Sequence, residues 1–309
     1  MKQYGITVDY EAYNTALDKY LESAGKLKAT DYERIGLVKA CLGYDRNFII
    51  DTINNKTGTG GIMSTIYGLM LAASNDYVSP DRITEIADSL VSLQMADGGW
   101  NLSGAYSDAD VTAMALQALS AVRSYGYEDN IQKGVGRLAS LQKDDAGYAS
   151  YGVNNSESTA QVLMALCALN IDYRTDTRFI KNGHTVLDAL MGYRTSKGAF
   201  SHTKDGKSNA LATTQALGAL VCADNYEKHG TFIYRYGNIQ SRPVQKETQP
   251  DVKPSPEQPA KTEPHHSCDG SIAATEHTQE ITGVHEVTEN ETTDEDITEP
   301  ANDETTSGG

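Results

Sequence analysis

Val111 to Val122 reads VTAMALQALSAV, a run in which Ala, Leu, Met and Val fall on nearly every side of an α-helix. A helix that is apolar all round is buried all round, so this stretch predicts an inner helix rather than a surface one. The pattern recurs. Thr112 leads this run, and Thr65 (STIYGLMLAAS), Thr159 (STAQVLMALCAL) and Thr213 (ATTQALGALVCA) lead three more, at spacings of 47, 47 and 54 residues. A repeat of this period is the mark of a stacked architecture in which each unit covers the apolar face of the next.

Working outward, a second helical pattern lies between these runs: ITEIADSLVSLQ after Pro80, IQKGVGRLASLQ after Asp129 and TVLDALMGY after His184. Its charged residues gather on one side, as outer helices require. Each ends in a turn that closes on an aromatic, ADGGW at Trp100, DAGY at Tyr148 and KGAF at Phe200, 48 and 52 residues apart. Ser79 is placed to N-cap a helix with Pro80 in its first turn. Gly98, Gly99 and Gly147 are placed to supply the positive φ that the turns need. No run alternates in the manner of a strand. The expected fold is all-α: inner helices ringed by outer ones in an α/α toroid, over residues 1–240.

Residues 241–309 differ in kind. They contain no Phe, Trp or Tyr, hold seven of the eight prolines, and carry 16 acidic against 4 basic residues, a net of −12 out of the chain's −16. Residues 1–240 hold all 18 tyrosines and are about 45% apolar, an ordinary globular value. A stretch so acidic and so poor in apolar residues cannot offset its ordering entropy, so 241–309 is expected to be a disordered Thr/Glu/Pro-rich linker or stalk. With no basic cluster, nucleic acids and anionic membranes are excluded as partners. No stretch is apolar for the length of a membrane span, and the opening residues contain no signal-peptide core. Cys41, Cys167 and Cys222 lie in apolar helical contexts and are expected as buried thiols, with Cys268 in the acidic stretch.

The turn Gln94 to Trp100 (QMADGGW) resembles the repeat of squalene and terpene cyclases in which a Gln precedes G-x-W, and Gln142 to Tyr148 is a degenerate copy with Ala146 and Tyr148 in the places of Gly and Trp. With DADVTAMALQAL (108–119), NNSESTAQVLMAL (154–166), GGIMSTIYGLML (60–71) and NALATTQALGAL (209–220), residues 10–236 resemble the prenyltransferase/squalene-oxidase repeat domains of bacterial surface proteins. The resemblance implies an α/α toroid of the superfamily that also includes terpenoid cyclases, protein prenyltransferase β-subunits, the complement thioester domain and the cobalamin carriers. Function does not follow from that fold.

Each inherited chemistry is incomplete here. The cyclases' DxDD acid motif is matched by Asp108-Ala109-Asp110-Val111, with Asp110 in the protonating place and Val111 where the last carboxylate belongs. Asp108 or Asp110 equally suits an N-cap. The prenyltransferase zinc ligands fall at Ser158, Ala160 and Ala212, none able to complete a zinc site. The thioester's Cys-Gly-Glu-Gln is missing. His184, His202 and His229 read as solvated loop or helix-end residues, and His265, His266, Cys268 and Asp269 lack a scaffold to arrange them around a metal.

At the mouth of a toroid a ligand would meet Trp100, Asp108, Asp110, Tyr148, Glu157, Gln161, Phe200 and Gln215. The three aromatics also suit a packing role at the repeat period, and the two glutamines suit hydrogen bonds between helices. The sequence thus favours a non-catalytic binding or adhesion module, monomeric, without metal or cofactor, part of a longer bacterial surface or secreted protein, whose partner is a small molecule, a glycan or a surface protein. The alternatives are a cobalamin-carrier-like toroid without its partner domain, and an isoprenoid cyclase or prenyltransferase using Asp110 as general acid.

Overall fold

The computed structural model describes residues 7–229. The chain divides at Glu247, so all described residues belong to the first unit, Met1–Glu247. Among them are ten α-helices: α1 (Tyr10–Ser23), α2 (Ala29–Leu42), α3 (Arg46–Asn55), α4 (Ile62–Ala73), α5 (Pro80–Ser92), α6 (Ala109–Ser120), α7 (Glu128–Leu141), α8 (Ser156–Ala168), α9 (Val186–Met191) and α10 (Ala210–His229). The fold is all-α. The one departure from the expected absence of strands is a small antiparallel hairpin, β1 (Tyr148–Ser150) and β2 (Val153–Asn155), with Tyr148 opposite Asn155. The expected acidic linker, Cys268 and the histidines beyond His229 lie outside the described residues.

The helices sort by burial. In α6 every residue from Val111 to Leu119 is buried, and in α8 every residue from Ser156 to Cys167 except Gln161. α5 buries Ile83, Ile86, Ala87 and Leu90, and α7 buries Ile131, Gly134, Val135 and Leu138, the same i, i+3, i+4, i+7 stripe in both. Helices α2, α4, α6, α8 and α10 pack as a row, each on the next, while α3 packs on α2 and α4, and α5, α7 and α9 back α4, α6 and α8 in turn. Glycines let the helices close up: Gly36 lies against Leu71, and Gly134 between Leu116 and Trp100. α10 ends the row. It buries Ala212, Ala216, Ala219 and Cys222 on one side and leaves Leu211 and Leu217 exposed on the other. At the opposite end, the wholly buried Lys39 binds Asn14 (2.9 Å), Asp18 (2.5 Å) and Asp45, which fastens α1 onto α2.

Three of the four recurring threonines share a task. Thr112, Thr159 and Thr213 each accept at Oγ1 the backbone N–H of the turn aromatic, from Trp100 (2.9 Å), Tyr148 (3.1 Å) and Phe200 (3.0 Å). Each helix start is therefore bonded to the turn before it. The N-caps repeat too: Asp108 caps α6, Asn155 caps α8, and Asn209 Oδ1 accepts from Ala212 N (2.9 Å) at α10. Ser79 caps α5 with Pro80 in its first turn.

Two expectations need correction. Gly98 has positive φ (89°) but Gly99 does not, and in the second turn that conformation belongs to Ala146 (φ 64°) and not to Gly147. The backbone shape of the turn is imposed by its hydrogen bonds and tolerates a left-handed Ala. Cys41 is exposed, unlike the buried Cys167 and Cys222, because it falls on the outward side of α2.

Candidate binding pole at the inner-helix N-termini

The loops and hairpin that lead into α6, α8 and α10 are fastened to one another. Asp108 Oδ1 accepts from the amides of Asp110 (2.9 Å) and Val111 (3.1 Å), while its Oδ2 accepts from Ser150 Oγ of the hairpin (2.5 Å). The backbone pairing of Trp100 with Asp108 closes the loop 101–107. Ser156 N donates to the His202 carbonyl (3.0 Å) and Ser156 Oγ to that of Ser201 (2.8 Å), bringing the loop before α10 to the start of α8. One pole of the row thus collects the N-termini of three inner helices.

Two acidic residues stand at this pole in corresponding places, each the second residue of its helix: Asp110 on α6 and Glu157 on α8. Asp108 is the cap. Asp110 is not, and its Oδ1 is shut off from water without a hydrogen-bond partner. Burial foremost, then the neighbouring charges of Asp108 and Glu157, push the Asp110 carboxyl up to about 7. Glu157 is nearly buried; its Oε2 accepts from His202 Nδ1 (2.9 Å) and lies 3.0 Å from Ser156 Oγ. His202 is half-exposed as expected, but it is paired rather than merely solvated.

The row of ionisable groups continues to α4 and α2. Tyr67 is partly exposed, and its phenol is pushed up by burial, with Asp110 and Glu33 adding and Arg34 opposing. Glu33 is wholly buried. Ser64 Oγ donates to its Oε1 (2.5 Å) while Oε2 has no partner, and burial pushes the carboxyl up to about 8 against that hydrogen bond.

The other sequence candidates have structural positions. Trp100, Tyr148 and Phe200 are buried, so a ligand at the pole does not reach them. They fill the space behind each turn, and the Trp100 indole donates to the Leu90 carbonyl (2.9 Å). Gln161 and Gln215 belong to a ladder of amides: Gln117 Nε2 donates to Gln161 Oε1 (2.8 Å), and Gln161 Nε2 to Gln215 Oε1 (3.0 Å). The zinc-ligand places Ser158, Ala160 and Ala212 are buried. Among the described residues, no three His, Cys, Asp or Glu side chains gather as metal ligands. Nor is any described helix long and apolar enough to cross a membrane.

Sequence reasoning passed over the rim. Tyr106, two residues before the Asp108 cap, is 80% exposed, and Tyr151 at the tip of the hairpin is 75% exposed; Leu102 of the first loop and Val153 of β2 are exposed too. A signal was there. Both tyrosines fall in the short stretch between a turn aromatic and the next inner helix, the segment that leads into the pole. Comparison with known proteins finds no family model and no curated sequence that matches this chain.

Proposed function

We propose that this pole is the ligand-binding face of a non-catalytic recognition module, and that the row of paired helices is the wall of an α/α toroid whose mouth it forms. The observation that carries the reading is the Asp110 carboxyl, held at the mouth with an oxygen that no protein group satisfies. A buried polar group normally has a partner, and leaving one without it is costly. That oxygen is closed to water as the pole stands, so a ligand group becomes its partner only where binding opens the pole. The exposed rim of Tyr106 and Tyr151 supports the reading, since Tyr offers rigid contact area with a polar tip. Set on an acidic linker, such a module suits the outer surface of a cell or a secreted protein.

Catalysis by Asp110 is the second reading, favoured by a carboxyl that is half-protonated near neutral pH. An acid that weak can assist a leaving group or a carbonyl, but it is poorly matched to protonating an alkene, so the cyclase reaction fits it badly.

Thermal shift and native mass spectrometry of the full chain against peptides, neutral oligosaccharides, cobalamin and isoprenoid diphosphates would test the proposal. A ligand that binds the native state raises the melting temperature with concentration. Asp110→Asn and Glu157→Gln should abolish that rise. Silence across the panel, or a rise that both variants keep, would remove the pole as the binding site. Product release from an isoprenoid diphosphate, lost in Asp110→Asn, would favour the enzyme instead.

A further inference from the structure

We propose that the open face of the last inner helix, α10, is the docking site of the chain's own segment Thr231 to Tyr236, which closes the end of the row in the place that an outer helix takes in the preceding units. The first observation is a break in the repeat. Four residues after each recurring Thr stands a leucine: Leu69, Leu116, Leu163 and Leu217. The first three are wholly buried, whereas Leu217 is 59% exposed. α10 has the sequence of an inner helix and is one on the side that packs, where Ala212, Ala216, Ala219 and Cys222 are buried. On its other side Thr214 and Leu217 are exposed, and Gly218 and Val221 are half-buried. These positions recur at i, i+3, i+4 and i+7, so they form one stripe. Among the described residues, α8 is the one helix on which α10 packs extensively. A core position is thus left without its cover, and apolar area left in water forfeits the stabilisation that burial gives.

The second observation is the order in which the chain builds its units. α5, α7 and α9 each follow the inner helix that they back, α4, α6 and α8. α7 does so over the equivalent leucine, with Gly134 against Leu116. By that order the cover of Leu217 is the stretch after α10. It need not be long, since α9 has only six residues. The third observation is what that stretch contains. It reads GTFIYRYGNI over residues 230–239 and leads into the aromatic-free residues 241–309, so it holds every aromatic that the chain has left after α10. Gly230, directly after the helix, suits a reversal of direction. Phe232, Tyr234 and Tyr236 alternate with Ile233 and Arg235, so an extended segment presents its three aromatic rings on one side. The length fits as well. Leu217 lies about 18 Å along the helix axis from His229, and six extended residues at about 3.3 Å each cover that distance in return. Tyr suits such a surface contact, since its ring is buried while its hydroxyl stays wet.

The test uses the full chain. Under native conditions trypsin should cut after Arg235 about tenfold or more slowly than after Lys261 in the acidic stretch, because a docked segment is cut only from its open form. Leu217→Glu, which keeps a good helix former, should raise the Arg235 rate relative to Lys261 by about tenfold. Leu211→Glu is the control. Leu211 is equally exposed, but as the second residue of its helix it corresponds to Asp110 and Glu157, so its change should leave the ratio as it is. Leu217→Glu and the triple change Phe232→Ser, Tyr234→Ser and Tyr236→Ser should each lower the Tm by about 3 °C or more, and combined should lower it by no more than the larger of the two, since both break one contact. Cutting after Arg235 as fast as after Lys261, a Tm that Leu217→Glu leaves unchanged, or losses that add would each overturn the proposal. A dimer in native mass spectrometry that Leu217→Glu dissociates would overturn it in favour of a second copy on the same face. None of these readouts uses a ligand, so the outcome is independent of the pole.

Discussion

The turns Gln94 to Trp100 and Gln142 to Tyr148 do the same work in adjacent units, and they do it unequally well. In both, the Gln amide donates to the turn carbonyl and to a carbonyl of the following segment: Gly98 (2.7 Å) and Asn130 (2.9 Å) in the first, Ala146 (3.1 Å) and Phe179 (2.9 Å) in the second. In the first turn the rest is also satisfied. Asn130 Nδ2 donates to Gln94 Oε1 (2.6 Å), and the indole N–H reaches the Leu90 carbonyl. In the second, Gln142 Oε1 and the Tyr148 hydroxyl are buried without partners. The backbone template therefore survives the loss of its ideal side chains, because it is held by the Gln amide, the turn carbonyls and the Thr hydroxyl rather than by the aromatic's own polar group.

The largest predicted effect breaks the better turn. Trp100→Phe leaves a cavity in a wholly buried site and strips the Leu90 carbonyl of its donor. It should lower stability by about 3 kcal/mol, read from the urea midpoint at unchanged slope. A loss below about 1 kcal/mol would show that the indole is not what anchors this turn. Next comes Gly98→Ala. A Cβ there would lie 2.8 Å from the Lys133 carbonyl, at a φ of 89°. The close contact and the left-handed backbone together should cost about 2 kcal/mol. The corresponding position in the second turn already carries an Ala, so the pair measures how much of the glycine requirement is steric crowding from α7 and how much is backbone strain.

A third prediction carries the comparison to the head of the row. Glu33, like Tyr148, is a buried group with an unsatisfied oxygen, but it can ionise. Its folded pKa is raised by burial to about 8 from the ordinary 4.5, so between those values the unfolded chain has released a proton that the folded chain retains. Stability contributed by the protonated carboxyl is full below the lower value and is lost as pH rises toward the higher one. Glu33→Gln removes this dependence. Its stability relative to the unaltered chain should rise by about 1.4 kcal/mol per pH unit across that window, measured by urea unfolding at a series of pH values. A difference that stays flat with pH would mean that Glu33 is ionised in the folded protein. Asp110, pushed up to about 7, imposes a dependence of the same sign that Glu33→Gln leaves in place.

The sequence carried the helix pattern because the burial of α6 and α8 depends on nearest neighbours in the repeat, which composition and period record directly. It located the turn aromatics but not their exposure. The same positions fit a mouth or a packed core, and only the thread of each turn through its Thr hydroxyl decides that Trp100, Tyr148 and Phe200 face inward. It left Asp108 and Asp110 as competing caps, because both precede the apolar run closely enough. The amides of Asp110 and Val111 choose Asp108, and that choice frees Asp110 for the pole. The Ser150 to Asp108 contact joins residues 42 apart in sequence, so nothing local announces that the hairpin and the loop bearing Tyr106 share one rim.

The smallest predicted effect is the sharpest test of the comparison. Tyr148→Phe deletes a hydroxyl that is wholly buried and has no hydrogen-bond partner, and keeps the ring that fills the space behind the turn. Removing an unsatisfied buried polar group leaves nothing orphaned, so the change should be neutral or stabilising by up to about 1 kcal/mol, with the urea slope unchanged. Trp100→Phe installs the same ring at the corresponding place in the first turn, yet is expected to be strongly destabilising. The sign difference between two changes to one residue type would attribute the asymmetry to what each aromatic's polar group meets, not to how much each turn needs an aromatic. If Tyr148→Phe instead cost as much as Trp100→Phe, the hydroxyl would have a partner in solution, an ordered water being the simplest, and the two turns would be equally well satisfied by different means.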